Sequence, residues 1–286
     1  MGVALKSNAP NLDYSSIYKK EGIMPALKEF DLEGKTALVT GAGRGIGRGI
    51  VIALADAGVN MVINSLSEES TQALTLEASQ RGKKAVGLAG DALDPHQIDS
   101  VVNETIKTLK TVDIVISTLG DSIQGSISAD NKDRTPEQYT NEIWHSVIDI
   151  NLNSAFYLAR SIGPHLLEKQ TGKMIFISSF GGARGTAGNS AYNAAKAGLN
   201  NFTKSLALEW APNIQVNCIA PGFFPDTWPQ TLDDYLDDPI LNTHTPLNRA
   251  GHPREIGLLA VMLASKAGNY ITGQTISVDG GLNLGG

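Results

Sequence analysis

Short β-branched runs alternate along the chain with longer stretches of helical pattern. Strands are predicted at Thr36–Thr40, Asn60–Asn64, Ala85–Ala89, Val112–Ser117, Lys173–Ser178, Ile214–Ile219 and Thr275–Val278. Helices are predicted at Ile46–Ala57, Glu68–Arg81, Pro95–Leu109, Glu137–Leu167, Ala191–Trp210 and Pro253–Ala264. The strands are nearly continuous in apolar residues, so both faces of their sheet must be covered. That pattern selects an α/β fold, a parallel sheet with helices on both faces. Right-handed crossovers leave few ways to wind it. One domain covers 34–286. Residues 1–33 lack periodicity and are punctuated by Asn8, Pro10, Asn11, Asp13 and Pro25, so they read as an N-terminal extension with one short helix near Pro25–Phe30. That extension is either a surface tail or a clamp on a neighbouring subunit.

Composition narrows the class. The chain has 286 residues, 42% of them apolar and 18% charged, which suits a globular domain with a sizeable core. A single cysteine, Cys218, excludes a disulfide scaffold and reads as a small buried apolar residue. The longest apolar run, Ile256–Ala264, is interrupted by Gly257 and falls short of the roughly 18 residues a membrane span needs. Lys6, Lys19 and Lys20 lie near the N-terminus without an apolar signal core, so a cytoplasmic protein is expected. Net charge is −6 with no basic block, which argues against nucleic acid as a partner. The histidines, His96, His145, His165, His244 and His252, show no metal-ligand spacing, and no metal is expected.

The first strand runs into Thr40-Gly41-Ala42-Gly43-Arg44-Gly45-Ile46-Gly47. A glycine turn between a strand and a helix lets backbone N–H groups approach a pyrophosphate, with the helix dipole aimed at the anion. The end of the second strand selects between cofactors, because a dinucleotide fold often sets an acid there on the ribose 2′-hydroxyl. Here Ser65, Leu66 and Ser67 precede the first acid, Glu68, while Arg44 stands in the glycine turn. A 2′-phosphate would meet a cation and hydroxyls, so NADP(H) is favoured and NAD(H) is the alternative.

Tyr192 and Lys196 are four apart near the start of a predicted helix, hence on one face. A phenol titrates near 10 and is a poor acid or base at neutral pH unless tuned. Bringing it to about 7 takes roughly 4 kcal/mol. A cation at about 4 Å with an effective dielectric of about 20 supplies a similar amount. Alone, such a pair commonly decorates a solvated helix. Ser178-Ser179, closing a predicted strand 13 residues earlier, strengthens the case, since ligands of open α/β sheets sit at strand carboxyl ends.

With these residues the chain resembles the classical short-chain dehydrogenase/reductase family from about Gly34 to the C-terminus. The resemblance rests on the turn at 40–47, Asn151 in Asp149-Ile150-Asn151, Ser179, Tyr192-x-x-x-Lys196 and Pro221-Gly222. The closing Ile271-Thr272-Gly273-Gln274 and Val278-Asp279-Gly280-Gly281 also fit it. It implies a single-domain Rossmann fold with a seven-stranded parallel sheet and hydride transfer to or from a nicotinamide. It further implies Tyr192 as general acid/base, Ser179 positioning the reacting oxygen, and Lys196 binding the ribose and lowering the tyrosine pKa. Asn151 would interrupt its helix and hold a water next to Lys196. Asp91 would bind adenine; its bland reading is a helix cap. Gly41, Arg44, Gly45, Ile46, Gly47, Ser65, Gly120, Pro221 and Gly222 complete the expected cofactor contacts.

Two departures stand out. Ser117-Thr118-Leu119-Gly120 replaces the family's Asn-Asn-Ala-Gly, and the stretch from Gly120 to Asn151 is longer than the family's. That surplus, Ser122–Pro136, and the segment Phe223–Thr245 are the candidate substrate lid. Phe223, Trp228 and His244 are its candidate substrate contacts. A small-molecule substrate, a neutral carbonyl or secondary alcohol, is expected. It ranks above a carrier-bound one because Trp210-Ala211-Pro212-Asn213 offers no basic residue to an acidic carrier. The rivals are an NAD-dependent sugar-acid or alcohol dehydrogenase and, from another class, a catalytically silent dinucleotide-binding sensor or scaffold. Family resemblance implies that the helices at 137–167 and 191–210 pair across two-fold axes, giving a homodimer or homotetramer.

Overall fold

The computed structural model describes residues 27–81, 83–123, 139–224 and 245–284. Strand and helix alternate as β1 (Thr36–Thr40), α1 (Gly45–Asp56), β2 (Asn60–Ser65), α2 (Glu68–Ser79), β3 (Ala85–Ala89), α3 (Pro95–Leu109) and β4 (Ile114–Ser117). There follow α4 (Asn141–Ile148), a π-helical turn (Asp149–Asn153), α5 (Ser154–Lys169), β5 (Gly172–Ile177), α6 (Ser190–Glu209), β6 (Ile214–Pro221), α7 (Pro253–Ala264) and β7 (Thr275–Val278). Among the described residues these strands form a seven-stranded sheet in the order β3-β2-β1-β4-β5-β6-β7, and every pairing is parallel. This is the expected Rossmann architecture.

Successive strand residues are buried on opposite faces. Val39, Ile63 and Ile116 pack with Ile50 of α1 and Ile256 of α7. Leu38, Val62 and Val115 pack with Leu158 of α5 and Leu199 of α6. Each face therefore has its own core, which is why the strands lack polar alternation. The α1–α7 contact is close enough to exclude side chains: a Cβ on Gly49 would lie 2.5 Å from the Pro253 carbonyl carbon. Leu32, within the segment read as extension, is buried in the first core.

Two elements differ from the pattern. The predicted helix over 137–167 is divided by the π-helical turn, at Asn151 itself. The Asn151 side chain donates to Val147 O at 2.9 Å and to Asp121 O at 2.6 Å, which draws the residue out of the regular helical ladder. β4 starts at Ile114, two residues later than predicted, although the Asp113 amide still donates to Thr36 O and its carbonyl accepts the Lys173 amide, both at 2.9 Å.

The order of strands reverses between β1 and β4, which pair from Ala37–Ile114 to Thr40–Ser117. In open α/β sheets the ligand crevice lies at the carboxyl ends of such a switch point.

Candidate active site

Thr40 ends β1, and its carbonyl accepts both the amide and the hydroxyl of Thr118 at 2.9 Å. Gly41 follows at φ +74°, and a Cβ there would lie 2.8 Å from Leu119 N. A Cβ on Gly47 would lie 2.7 Å from Ala42 Cα. The turn thus closes onto the β4 loop with no room for a side chain at Gly41 or Gly47. Arg44 is the residue before α1, and Gly45 and Ile46 open the helix. Among the described residues no side chain caps α1, and its first turn holds no acid. Its amides and positive dipole end are directed at the turn, as a bound pyrophosphate requires. The site fits a dinucleotide on that ground.

At the end of β2 a cluster of hydroxyls meets this turn. Ser65 Oγ lies 2.5 Å from Thr71 Oγ1 and 2.8 Å from Ser70 Oγ. Ser67 caps α2 by accepting the Ser70 amide, and its Oγ is 2.7 Å from Ser70 Oγ. A Cβ on Gly43 would stand 3.5 Å from Ser70 Oγ. Ser65 and Thr71 are buried, with their hydroxyls engaged inside the cluster, so the members nearer the surface are Ser67 and Ser70. Ser70 escaped the sequence reading because it falls inside the helix; its signal is the three-residue spacing from the Ser67 cap. Asp91 lies just past β3, where its Oδ1 accepts the Leu93 amide at 2.9 Å. The cap of α3 is Asp94, not Asp91.

The proposed reacting groups converge at the ends of β4 and β5. Ser179 follows β5, accepts the Gly181 amide at 3.1 Å and hydrogen-bonds the Tyr192 phenol. A Cβ on Gly181 would lie 3.4 Å from Tyr192 Cε1 and 3.5 Å from Ser179 Oγ, so Gly181 floors the pair. Lys196, 2% exposed, donates to Ile177 O at 2.9 Å. A Cβ on Gly120 would lie 2.7 Å from Lys196 Nζ and 2.9 Å from Asn151 Oδ1. The glycine is therefore what lets the lysine and the asparagine meet the β4 loop. Asn151 Oδ1 also accepts the Asp121 amide at 3.2 Å.

The electrostatics depart from expectation. Burial raises the Tyr192 phenol; the Ser179 hydrogen bond opposes this and the Asp121 charge adds to it. The Lys196 ammonium sits 5.7 Å from the Tyr192 ring centre and points at Ile177 O, so the expected lowering of the phenol by this lysine is not made in this geometry. Lys196 itself is lowered to about 8 by burial. Burial also pushes the Cys218 thiol up to about 11, in line with an inert buried residue.

Pro221 ends β6, and Gly222 donates to Val278 O at 2.9 Å. A Cβ on Gly222 would lie 2.7 Å from Asp279 Cα. Phe223 is exposed at the start of the next segment, and its carbonyl accepts the Gly251 amide at 3.0 Å. Trp228 and His244, and most of both candidate lid loops, lie outside the described residues. His252 caps α7 in a capping box with Glu255, and His165 accepts the Val112 amide at 3.2 Å. Among the described residues no group of histidines, cysteines and acids could hold a metal. No helix among them is long and apolar enough to cross a membrane.

The family model described as enoyl-(acyl carrier protein) reductase matches residues 41–283. The 3-oxoacyl-[acyl-carrier-protein] reductase of Escherichia coli is 37% identical over 255 residues, 89% of this chain and 99% of that protein. The enzyme of the same name from Chlamydia muridarum is 36% identical over 253 residues, 88% of this chain and 98% of its own. The crystal structure of the NADPH-dependent 3-quinuclidinone reductase of Rhodotorula rubra superposes with a TM-score of 0.78 at 28% identity, covering 93% of this chain and 98% of that one. The chain belongs to the classical short-chain dehydrogenase/reductase family. Within it, the protein is an NAD(P)-dependent oxidoreductase acting on CH–OH/C=O groups.

Proposed function

We propose that the protein is an NADPH-dependent carbonyl reductase that converts a free small ketone to a secondary alcohol, with the reverse oxidation at the same site. The observation that carries this reading is the convergence of Ser179 and Tyr192 above Gly181, with Lys196 buried behind them. Bound NADPH supplies the hydride for the carbonyl carbon. Ser179 orients the carbonyl oxygen, and Tyr192 gives it the phenolic proton. Burial leaves that phenol in the protonated form a donor needs but makes it a weaker acid, so the direction of the reaction does not follow from it. The resulting phenolate is reprotonated from the Lys196 side, where the ammonium titrates at about 8. Arg44, with Ser67 and Ser70, supports a 2′-phosphate.

A second reading is reduction of a 3-oxoacyl group on a carrier protein, as the names of the relatives state for them. The lack of basic residues at Trp210–Asn213 does not bear on this choice. That segment leads into the amino end of β6, at the edge of the sheet opposite the active site. The net charge of −6 and an acid at the mouth, Asp121, both oppose an acidic carrier, so the free ketone stands first.

The test is NADPH oxidation with a free 3-oxo ester against the same acyl group on a carrier protein. A higher kcat/KM for the carrier form would replace the first reading with the second. Tyr192→Phe should lower turnover at least about 10²-fold with NADPH binding retained. Near-normal turnover in that variant would remove Tyr192 from the chemistry. Absence of turnover with every carbonyl and alcohol tested would favour the silent sensor.

A further inference from the structure

Asp121 stands immediately after Gly120, where the chain leaves β4. Its backbone is held from both sides by a single side chain. The Asp121 amide donates to Asn151 Oδ1 at 3.2 Å, and the Asp121 carbonyl accepts from Asn151 Nδ2 at 2.6 Å. Two residues later, Ile123 O accepts the Tyr139 hydroxyl at 2.8 Å, and the same hydroxyl lies 3.2 Å from Gly188 O. The segment 121–123 is thus tied both to the π-helical turn and to the loop that precedes α6.

This leaves a carboxylate in a fixed place at the mouth of the site. Asp121 is exposed, its Oδ1 accepts the Ser122 amide at 2.8 Å, and no ion pair involves it among the described residues. Its backbone is fixed to Asn151, whose Oδ1 lies with Lys196 Nζ beside Gly120, and its charge raises the Tyr192 phenol. The other charge beside this site, the Lys196 ammonium, is buried under Gly120 and turned toward Ile177. An anion here offers nothing to a phosphate-bearing cofactor, and by raising the phenol it makes Tyr192 a weaker proton donor. What it does is act on the substituents of an arriving substrate.

We infer that Asp121 is a specificity-determining residue, an anionic selector that favours ketones bearing a cationic group and disfavours ketones bearing a carboxylate. The inference rests on the carbonyl-reductase reading, so its test has an arm that needs no turnover. Three ketones of similar size are compared on the full-length protein with NADPH: one uncharged, one with a quaternary ammonium group, one with a carboxylate. The ratio of kcat/KM for the cationic over the anionic ketone is measured in the wild type, Asp121→Asn and Asp121→Glu. The same ratio is measured for binding to the NADPH complex, read from NADPH fluorescence. The ratio should exceed one in the wild type, fall about three- to tenfold in Asp121→Asn and recover in Asp121→Glu. Added salt should shrink it in the wild type, which also serves if the Asn variant does not fold. A ratio that stays the same in Asp121→Asn, or a wild-type ratio insensitive to salt, overturns the inference. A binding ratio that moves as expected while none of the ketones is reduced upholds Asp121 as selector and refutes carbonyl reduction.

Discussion

The Lys196 ammonium donates to the carbonyl of Ile177 at 2.9 Å, so a fully buried cation ties α6 to the carboxyl end of β5. Burial lowers this lysine to about 8, whereas an unfolded lysine titrates near 10.4. Between those values the unfolded chain binds more protons than the folded one. The stability this group contributes therefore rises as pH climbs from about 8 to about 10, and is lost as pH falls through about 8. Urea unfolding of the wild type and Lys196→Met, compared at about pH 7 and about pH 10, should show the wild type gaining relative to the variant. A difference independent of pH would mean that Lys196 titrates like an exposed lysine.

Cofactor choice is checked at the glycine turn. Hydrogen bonds to charged groups contribute roughly 1.5–3 kcal/mol each. Arg44→Ala should therefore weaken NADPH about 10–150-fold and leave NADH nearly unaffected. Ser70→Ala should act in the same direction by a smaller factor, whereas the inward-facing Ser65 should matter mainly to stability. The measured quantity is the ratio of kcat/KM for the two cofactors. A wild-type preference for NADH would sink the 2′-phosphate reading.

Acid sensitivity is expected at the opposite end of the central strands β1 and β4. Burial raises Asp113, but the hydrogen bond and charge of Lys169, with the Thr36 amide, outweigh it and hold the carboxyl below its ordinary range. A lowered carboxyl contributes stability that is present above the unfolded value near 3.9 and is lost as pH falls through the folded value. Asp113→Asn should cost about 1–3 kcal/mol at neutral pH and flatten the acid limb of the stability curve. Thermal unfolding that matches the wild type at both pH 7 and pH 4 would contradict this.

Assembly is tested on the outer faces of α5 and α6. Phe156, Leu167 and Leu208 are exposed there, with Trp210 beneath. A groove between the helices is lined by Phe156, Gly163, Leu167, Phe202 and Leu206. Gly163 keeps it open, since a Cβ there would lie 3.0 Å from the Trp210 ring. We propose that a second copy covers this face about a two-fold axis. Sedimentation at micromolar concentration should show a dimer or larger species, and Phe156→Glu should shift it toward monomer. A wild type that sediments only as monomer would refute the pairing.

The fold was legible because period and chemistry agreed. β1, β3, β7, α3 and α7 fall where the residue pattern places them, each bounded by glycine, proline or a capping aspartate. What escaped was set by contacts between distant residues. The break at Asn151 was expected only from the family resemblance, because it depends on the reach of Asn151 to Asp121, thirty residues earlier, which no local window contains. Tyr192, Lys196 and Ser179 could be paired from spacing alone, but the direction of the lysine could not, because it is fixed by a carbonyl at the end of another element. Asp121 was missed for the same reason, since Asn151 reaches it only in the folded chain, whereas Ser70 has local partners in Ser65 and Ser67 and was missed because it falls inside α2.

The π-helical turn at Asp149–Asn153 has a consequence for how the molecule can vary. A π turn holds one residue more than an α turn, and one residue is about 100° of rotation along a helix. Everything downstream is set by that phase. Ser154 to Lys169 present Leu158 and Ile162 to the core and Phe156 to the outside only because the extra residue is there. Losing a single residue from the turn would realign the ladder, pull the Asn151 amide away from Gly120 and swing Phe156 off the outer face in one step. The active site and the surface proposed for pairing share one angular reference, so an insertion or deletion here cannot alter either alone.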